Sequence, residues 1–312
     1  MKILFMGTPD FAVFTLQALV ERGENVIGVV TQTDKPRGRG YELLPTPVKK
    51  YALEHGIPVY QPKTLRSEEF AAQLAEIDPE LIIVVAYGKI LPVNVLEYPK
   101  HGCINVHGSL LPAYRGAAPM QRAIMDGCAE TGITTMYMAE GLDTGDMLLK
   151  ASLPIADTDN FETVHDKLGA LGAQTMLKTL DALRAGTLVP EVQDDSLANY
   201  AEKIQKSECL IDFSQSATVL HNRIRGLSPI PLSFTHVPGG SLLKVYAAHV
   251  HDSDKDWGDT APGTVVGLDG EILVACGKGT LALTQVIPEG KKRMAAADYI
   301  RGRKLSLGDL LS

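Results

Sequence analysis

The sequence predicts an α/β chain, with a doubly wound parallel sheet first and a small β-barrel after it. Three observations predict this. The chain opens as strand, helix, strand between Ile3 and Val30, the unit from which parallel sheets are built. Leu81-Ile-Ile-Val-Val-Ala86 is a continuous apolar run, as a strand buried on both faces requires. From Glu208 onward, short alternating runs are separated by Gly and Pro, the pattern of a small barrel.

The elements follow in order. Ile3–Met6 reads as a buried strand and Gly7–Asp10 as the loop beyond it. Phe11–Glu21 has helical apolar spacing, with Thr8 or Asp10 as its cap. Val26–Val30 is the next strand. Thr31–Pro47 holds Gly38, Gly40 and three prolines, so it is expected to be irregular. Pro47–Glu54 and Glu68–Ala75 read as helices, with a short strand at Val59-Tyr60 between them. The buried run 81–86 ends in the loop Tyr87-Gly-Lys-Ile-Leu-Pro92.

Residues 103–107 form another short strand. Pro119–Asp126 is helical, and strands follow at 133–138 and 147–154, the latter antiparallel. Asn160–Gly186 is a long amphipathic helix or a helix pair, in which His165 is a packing residue. Residues 190–207 are polar and read as a connector. A helix at 214–225 and short strands at 242–250, 262–267, 271–276 and 280–287 complete the chain. The expected division is a catalytic domain at 1–189, a linker at 190–207 and a C-terminal domain at 208–312.

Composition narrows the class. The 312 residues suffice for two domains, and 45% hydrophobic with 21% charged residues is the globular range. The net charge of −7 argues against a surface generally coated by nucleic acid, though not against a local basic patch. Four scattered cysteines without a C-x-x-C pair favour reduced thiols in a cytoplasmic protein. The apolar run Ile3–Met6 is too short for a signal peptide, and no run reaches transmembrane length. The G-x-G-x-x-G fingerprint of dinucleotide binding is absent. Asp252–Gly258 superficially resembles a calcium loop, but Trp257 and Gly263 stand where Gly and Glu are needed, so it reads as an acidic turn.

The stretch Cys103-Ile-Asn-Val-His-Gly-Ser-Leu-Leu-Pro-Ala-Tyr-Arg-Gly116 carries the chemistry. In a strand, Asn105 and His107 share a face. They stand at its C-terminal end, where parallel sheets place ligands. The Asn amide can hydrogen-bond a developing oxyanion, and a neutral His can take a proton. Asp143, in Gly141-Leu-Asp-Thr-Gly-Asp146, could supply a carboxylate or merely fix its own turn. Cys103 is set aside as too early in the strand.

Two basic clusters stand out in this acidic chain. Lys35, Arg37 and Arg39 lie in the loop after the second strand. Residues 291–304 hold Lys291, Lys292, Arg293, Arg301, Arg303 and Lys304 against Asp298 alone. Each reads either as a solvated face or as a phosphate-contacting surface.

Asn-Val-His-Gly-Ser-Leu-Leu-Pro-x-Tyr-Arg-Gly followed by Gly-Leu-Asp-Thr-Gly-Asp resembles the 10-formyltetrahydrofolate-dependent formyltransferases. The likeness extends to Gly7-Thr-Pro9, to Tyr200-Ala-x-Lys203 and to Gly290-Lys-Lys-x-Met294. It implies a Rossmann-like sheet with helices on both faces and an OB-like barrel. It also implies a transferase that formylates the free amine of initiator methionyl-tRNA with 10-formyltetrahydrofolate as co-substrate. Asn105, His107 and Asp143 match the family's catalytic residues. The folate ring is expected at Tyr87, Gly88, Ile90, Leu91, Ser109, Leu110, Leu111 and Pro112.

In the tRNA-formylating branch the first basic loop enters the acceptor arm, and Arg39 matches its key residue. Lys203, Lys206, Lys291, Lys292 and Arg293 join the expected tRNA surface. Ile230 departs from the pattern, which often has an aromatic residue in this Pro-x-Pro. The chemistry requires neither a metal nor a covalent nucleophile. Alternatives are an amino-sugar or nucleotide-sugar formyltransferase, a formyl-folate hydrolase, and a non-catalytic tRNA-binding protein.

Overall fold

The computed structural model describes residues 1–37, 42–302 and 304–312. The chain forms two compact units. The first comprises Met1–Gly116, Thr131–Leu153 and His165–Ala201; the second comprises Ala117–Glu130, Pro154–Val164 and Glu202–Ser312. No helix among the described residues is long and apolar enough to cross a membrane.

The elements are β1 (Ile3–Gly7), α1 (Asp10–Glu21), β2 (Val26–Val30), β3 (Lys35–Arg37), β4 (Glu42–Leu44), α2 (Pro47–Glu54), β5 (Val59–Tyr60), α3 (Glu68–Ile77), β6 (Leu81–Val85), α4 (Val93–Leu96), β7 (Cys103–His107) and β8 (Arg115–Gly116). They continue with α5 (Pro119–Met125), β9 (Glu130–Tyr137), β10 (Met147–Pro154), α6 (Phe161–Ala185), β11 (Tyr200–Ala201), α7 (Ala217–Leu227), β12 (Ser233–His236), β13 (Leu242–Asp252), β14 (Val265–Gly267), β15 (Ile272–Ala275), β16 (Thr280–Pro288), β17 (Met294–Ala295) and α8 (Ala296–Arg301).

The first unit is built on a sheet of order β10-β9-β7-β6-β1-β2-β5. Pairing is parallel from β7 through β6, β1 and β2 to β5, and β9 runs antiparallel to β7. Every residue of β1 and β6 is buried, which is why both are unbroken apolar runs. One face packs Leu4, Met6, Ile82 and Val84 against Phe70 and Leu74 of α3. On the other, Thr179 of α6 shares a hydrogen bond of 2.8 Å with Thr135 of β9. The sheet is Rossmann-like, as the opening strand–helix–strand predicts.

One local expectation changes, and one open choice is decided. The segment after β2 is not wholly irregular: β3 and β4 form an antiparallel ribbon pairing Lys35 with Leu44 and Arg37 with Glu42. Gly38 and Gly40 lie outside the described residues. A two-stranded ribbon leaves every second N–H facing outward, which gives Pro36 a place. Of the two readings open for 160–186, a single helix or a pair, the single helix is found, at 161–185. Its Gly169 is not a break; a Cβ there would stand 2.5 Å from the Phe14 ring of α1. The missing side chain lets α1 and α6 approach.

His165 ties the same two helices together. Its ring lies against Phe11 and Phe14, and its nitrogens face Asp10 at 3.6 Å and Asp166 at 2.8 Å. The Asp10 carboxylate, and secondarily Asp166, raises its pKa above 6.5 against the opposing effect of burial. The same contact with His165 lowers Asp10 below 3.8. The pair therefore stabilises the fold fully between about pH 4 and 6.5. That contribution fades as pH rises through the raised His165 value or falls through the lowered Asp10 value. Asp10→Asn should accordingly lower Tm more at pH 6 than at pH 9. An equal decrement at both values would show that the contact is packing alone.

The second unit is a half-barrel of antiparallel strands in the order β12-β13-β16-β15-β14, with β17 on β16. Its core joins Leu220 and Ile224 of α7 to Leu243, Val245, Val274, Leu281, Leu283 and Val286. Ser216 caps α7 by accepting from the Val219 N–H. Residues 117–130 and 154–164 belong to this unit because α7 binds them. Gly226 is the close approach: a Cβ there would lie 2.7 Å from Met125 and 3.1 Å from the Gln121 carbonyl. Arg225 donates to the Ala156 and Asp159 carbonyls, and Arg122 pairs with Glu208 at 2.6 Å. The Asp252–Gly258 turn is closed by Asp252 accepting two backbone N–H groups, with Lys255 over the Trp257 ring.

Candidate active site

β7 supplies two polar side chains that a buried strand would not otherwise carry. Its Asn105 and His107 are 8% and 6% exposed and alternate with the apolar Ile104 and Val106. Asn105 pairs with Val84 of β6 and Met136 of β9, and His107 with Thr134 of β9. Both positions alternate onto one face at the strand's C-terminal end. Cys103 shares that face by the same alternation, which corrects its dismissal as misplaced. Its thiol is held by the carbonyls of Val95 and Leu96, and burial pushes it up to about 12. Such a thiol is no nucleophile.

The loop after β7 is fixed from below. Thr134 accepts from the Leu111 N–H and donates to the Ser109 carbonyl. Ser109 donates to the Ala113 carbonyl at 2.6 Å. Leu111–Pro112 is a cis peptide. The loop then returns Tyr114, whose carbonyl lies 2.9 Å from His107 Nε2. A carbonyl can only accept, so the neutral ring carries its proton on Nε2 and presents a basic Nδ1. Asp143 Oδ2 stands 3.6 Å from that Nδ1 and accepts the Gly116 N–H at 2.8 Å.

Asp143 reaches this position against the direction of its strand. β9 is antiparallel to β7, so it ends beside Cys103, to whose carbonyl Met138 donates. The loop 138–146 must double back to reach His107. Gln193 makes it do so. Its Nε2 donates to the carbonyls of Asp143 at 2.8 Å and Gly145 at 2.7 Å, and its Oε1 accepts twice from Arg115, at 3.0 and 2.8 Å. Gln193 and Arg115 are buried. Arg115 is further paired with Asp195 at 2.7 Å. Asp143 has φ 53°, a left-handed conformation that Asp tolerates in turns. Gly145 is obligatory, because a Cβ there would lie 1.9 Å from the Tyr137 carbonyl.

Sequence reading missed Gln193. It sits in a polar stretch that reads as solvated connector, and long-range pairing brings that stretch to the site: Glu191 bridges Met147 of β10, and β11 pairs with β8. Arg115 was visible in the motif but carried no assigned role.

The residues expected near a folate ring divide into two groups. Gly88 and Ile90 are exposed, and Leu110 and Pro112 half-buried; Tyr87, Leu91, Ser109 and Leu111 are buried. Tyr87 turns its ring into the core with Phe70 and Leu91. Its hydroxyl has no hydrogen-bond partner among the described residues, and burial pushes it up to about 12. Its carbonyl accepts from Thr8 and from Gln32.

Of the basic residues, Lys35 is exposed on β3, and its ammonium donates to the same Gln32 at 3.3 Å. Arg37 is the last residue of β3; its side chain, Arg39 and Arg303 lie outside the described residues. Lys203, Lys206, Lys291, Lys292 and Arg293 are exposed on the second unit. Arg293 rests its guanidinium 4.2 Å from the Tyr246 ring centre, so it is partly ordered by stacking.

Comparison with known proteins places this geometry. The profile described as formyl transferase matches residues 1–180, and that described as formyl transferase, C-terminal domain, matches residues 203–304. A methionyl-tRNA formyltransferase of Geobacter metallireducens is 50% identical over 308 residues, covering 99% of this chain and 97% of the relative. One from Ectopseudomonas mendocina is 49% identical over 305 residues, covering 97% and 95%.

Among solved structures, an N-formyltransferase from Helicobacter canadensis in complex with folinic acid and dTDP-3-aminofucose superposes with a TM-score of 0.64 at 18% identity. It covers 91% of this chain and 98% of that one. HypX from Aquifex aeolicus in complex with tetrahydrofolic acid gives 0.62 at 17%, over 96% of this chain and 47% of that one. At such identities these two attest the fold alone. The curated relatives, alike over nearly their whole length, and the two profiles decide the family: the chain belongs to the methionyl-tRNA formyltransferases.

Proposed function

We propose that this protein transfers the formyl group of 10-formyltetrahydrofolate to the α-amine of initiator methionyl-tRNA, yielding N-formylmethionyl-tRNA for translation initiation in the cytoplasm. The observation that carries the reading is the near-full-length identity of about half with relatives of that name.

The amine attacks the formyl carbon, a C–N bond forms, and the carbonyl oxygen becomes an oxyanion. Asn105 donates a hydrogen bond to that oxygen. Collapse breaks the bond to folate N10, which gains a proton as the amine loses one. His107 Nδ1 mediates this exchange, with the Asp143 carboxylate facing the atom that is transiently protonated. A free α-amine has a pKa of about 7.7–8, so near neutral pH little work goes into generating the nucleophile. The site's main task is then to hold two substrates in register. Gly88, Ile90, Leu110 and Pro112 offer surface to the flat folate ring; Tyr87, Leu91, Ser109 and Leu111 shape it from beneath. Residues 1–189 carry the chemistry, and 208–312 bind tRNA through an OB-like surface, with 190–207 between.

Steady-state formylation of separately charged initiator and elongator tRNAs, with an amino sugar as competing amine, tests the reading. Efficient transfer to the sugar without transfer to methionyl-tRNA would replace it by the sugar-modifying alternative. Folate hydrolysis without any acceptor would replace it by a hydrolase. Within this assay, Lys291→Ala with Lys292→Ala should mainly raise KM for tRNA. Each lost phosphate contact should flatten the log–log salt dependence by about 0.7–0.9. Arg39→Ala should instead lower kcat as well, because a misplaced amine loses alignment. Unchanged tRNA parameters in both variants would remove these bases from the tRNA surface.

A further inference from the structure

The half-barrel carries a second cluster of chemistry-bearing side chains that formyl transfer does not use. His249 and His251 lie on β13, and Glu271 immediately precedes β15. One potential ligand atom from each lies within 4.8 Å of the others. His249 Nε2 is 3.7 Å from Glu271 Oε2.

The sheet explains why groups on non-adjacent strands meet. β16 runs between β13 and β15, and its Ala282 pairs with His249 on one side and Leu273 on the other. Residues paired across antiparallel strands share a face, and Glu271, two before Leu273, shares it as well. A methyl group is all that the middle strand places between the two, so their side chains can close over it. The register shifts between Val250 and Asp252 and skips His251. A bulge re-aims the side chain it displaces, and here that side chain joins the other two. Both imidazoles are exposed, and the carboxylate is partly so, so an ion can reach all three groups without a rearrangement of the core.

We propose that His249, His251 and Glu271 form a binding site for a divalent transition metal ion of the zinc, nickel or copper class. Two imidazoles and one carboxylate are the donor set these ions prefer over magnesium or calcium, which take oxygen ligands. Three protein ligands leave coordination positions for water. The ion is held by neutral imidazoles and a carboxylate, so protons compete with it and affinity falls as pH drops below the His range.

The test uses the full chain stripped with chelator and titrated with zinc chloride or nickel chloride by calorimetry at pH 7.5 and pH 5.5. One saturable ion per chain is expected at the higher pH, with marked weakening at the lower. Removing an outer partner of a metal ligand weakens binding by about 10–100-fold, so His249→Ala, His251→Ala and Glu271→Gln should each weaken it at least tenfold. Circular dichroism of the three variants should match that of the parent, because none of these side chains is in the core. Absence of saturable binding overturns the proposal. So does stoichiometric binding that persists unchanged in all three variants, which would assign the ion elsewhere.

Discussion

Asn105→Ala is expected to lower kcat by about 10²–10³-fold and His107→Ala by about 10²–10⁴-fold, with the folate dissociation constant little changed in either. The reasoning separates the two. Asn105 offers an amide donor to an oxygen that is a weak acceptor in the ground state and an anion in the tetrahedral state. Only the second interaction is strong, so its loss appears in turnover rather than in binding. His107 loses its role in the same state. Both residues lie within a strand whose backbone is paired to β6 and β9 around Asn105, so truncating the side chains leaves the framework standing. Single-turnover formylation and folate titration on the same preparations check this. Turnover within a few-fold of the parent in either variant would take that residue out of the mechanism.

Gln193→Ala is expected to lower kcat by about 10²-fold, although Gln193 is placed to touch no substrate. The substitution removes the donor to the Asp143 and Gly145 carbonyls and the acceptor of two Arg115 N–H groups. Asp143 then loses the tether that returns it to His107, and a displacement of about 1 Å in such a site can cost 10²-fold. Each buried polar group left unpaired also costs about 1–3 kcal/mol, so Tm should fall too. Stability alone does not separate positioning from structure; the split between kcat and KM does. Gln193→Glu keeps an acceptor for Arg115 but abolishes both donations to the loop. It should therefore retain much of the stability and little of the turnover. Asp143→Ala is the reference. If Asp143→Ala is slow and Gln193→Glu is fast, the loop holds itself and the clamp is only structural. If Asp143→Ala is itself fast, the role given to Asp143 fails first.

The sequence by itself determined the parts that depend on neighbours in the chain. The parallel sheet was legible because β1 and β6 are apolar on both faces, and a strand covered on both sides leaves no room for alternation. Pro47–Glu54 was legible as a helix, and α2 has those bounds, with Thr46 accepting from the Lys49 N–H at its start. Asn105 and His107 were legible as a pair because a period of two is a local property. In the half-barrel, runs bounded by Gly and Pro gave strands close to those found, since turns demand those residues wherever they lie.

Tertiary structure decided what brings distant segments together. Glycine has one reading in sequence and several in space: Gly145 clears the Tyr137 carbonyl in a turn, while Gly169 lets α1 rest on α6. Local pattern left Asp143 either as a carboxylate for the site or as a turn former, and only the family resemblance set it with His107, because β9 is antiparallel to β7 and carries its loop away. What returns the loop is Gln193, 50 residues later, in a stretch whose polarity suggests solvent. A buried amide and an exposed one look alike in sequence. Their difference lies in whether partners are waiting, and for Gln193 those partners, Arg115 and two carbonyls, are assembled when Glu191 bridges Met147 of β10 and β11 pairs with β8.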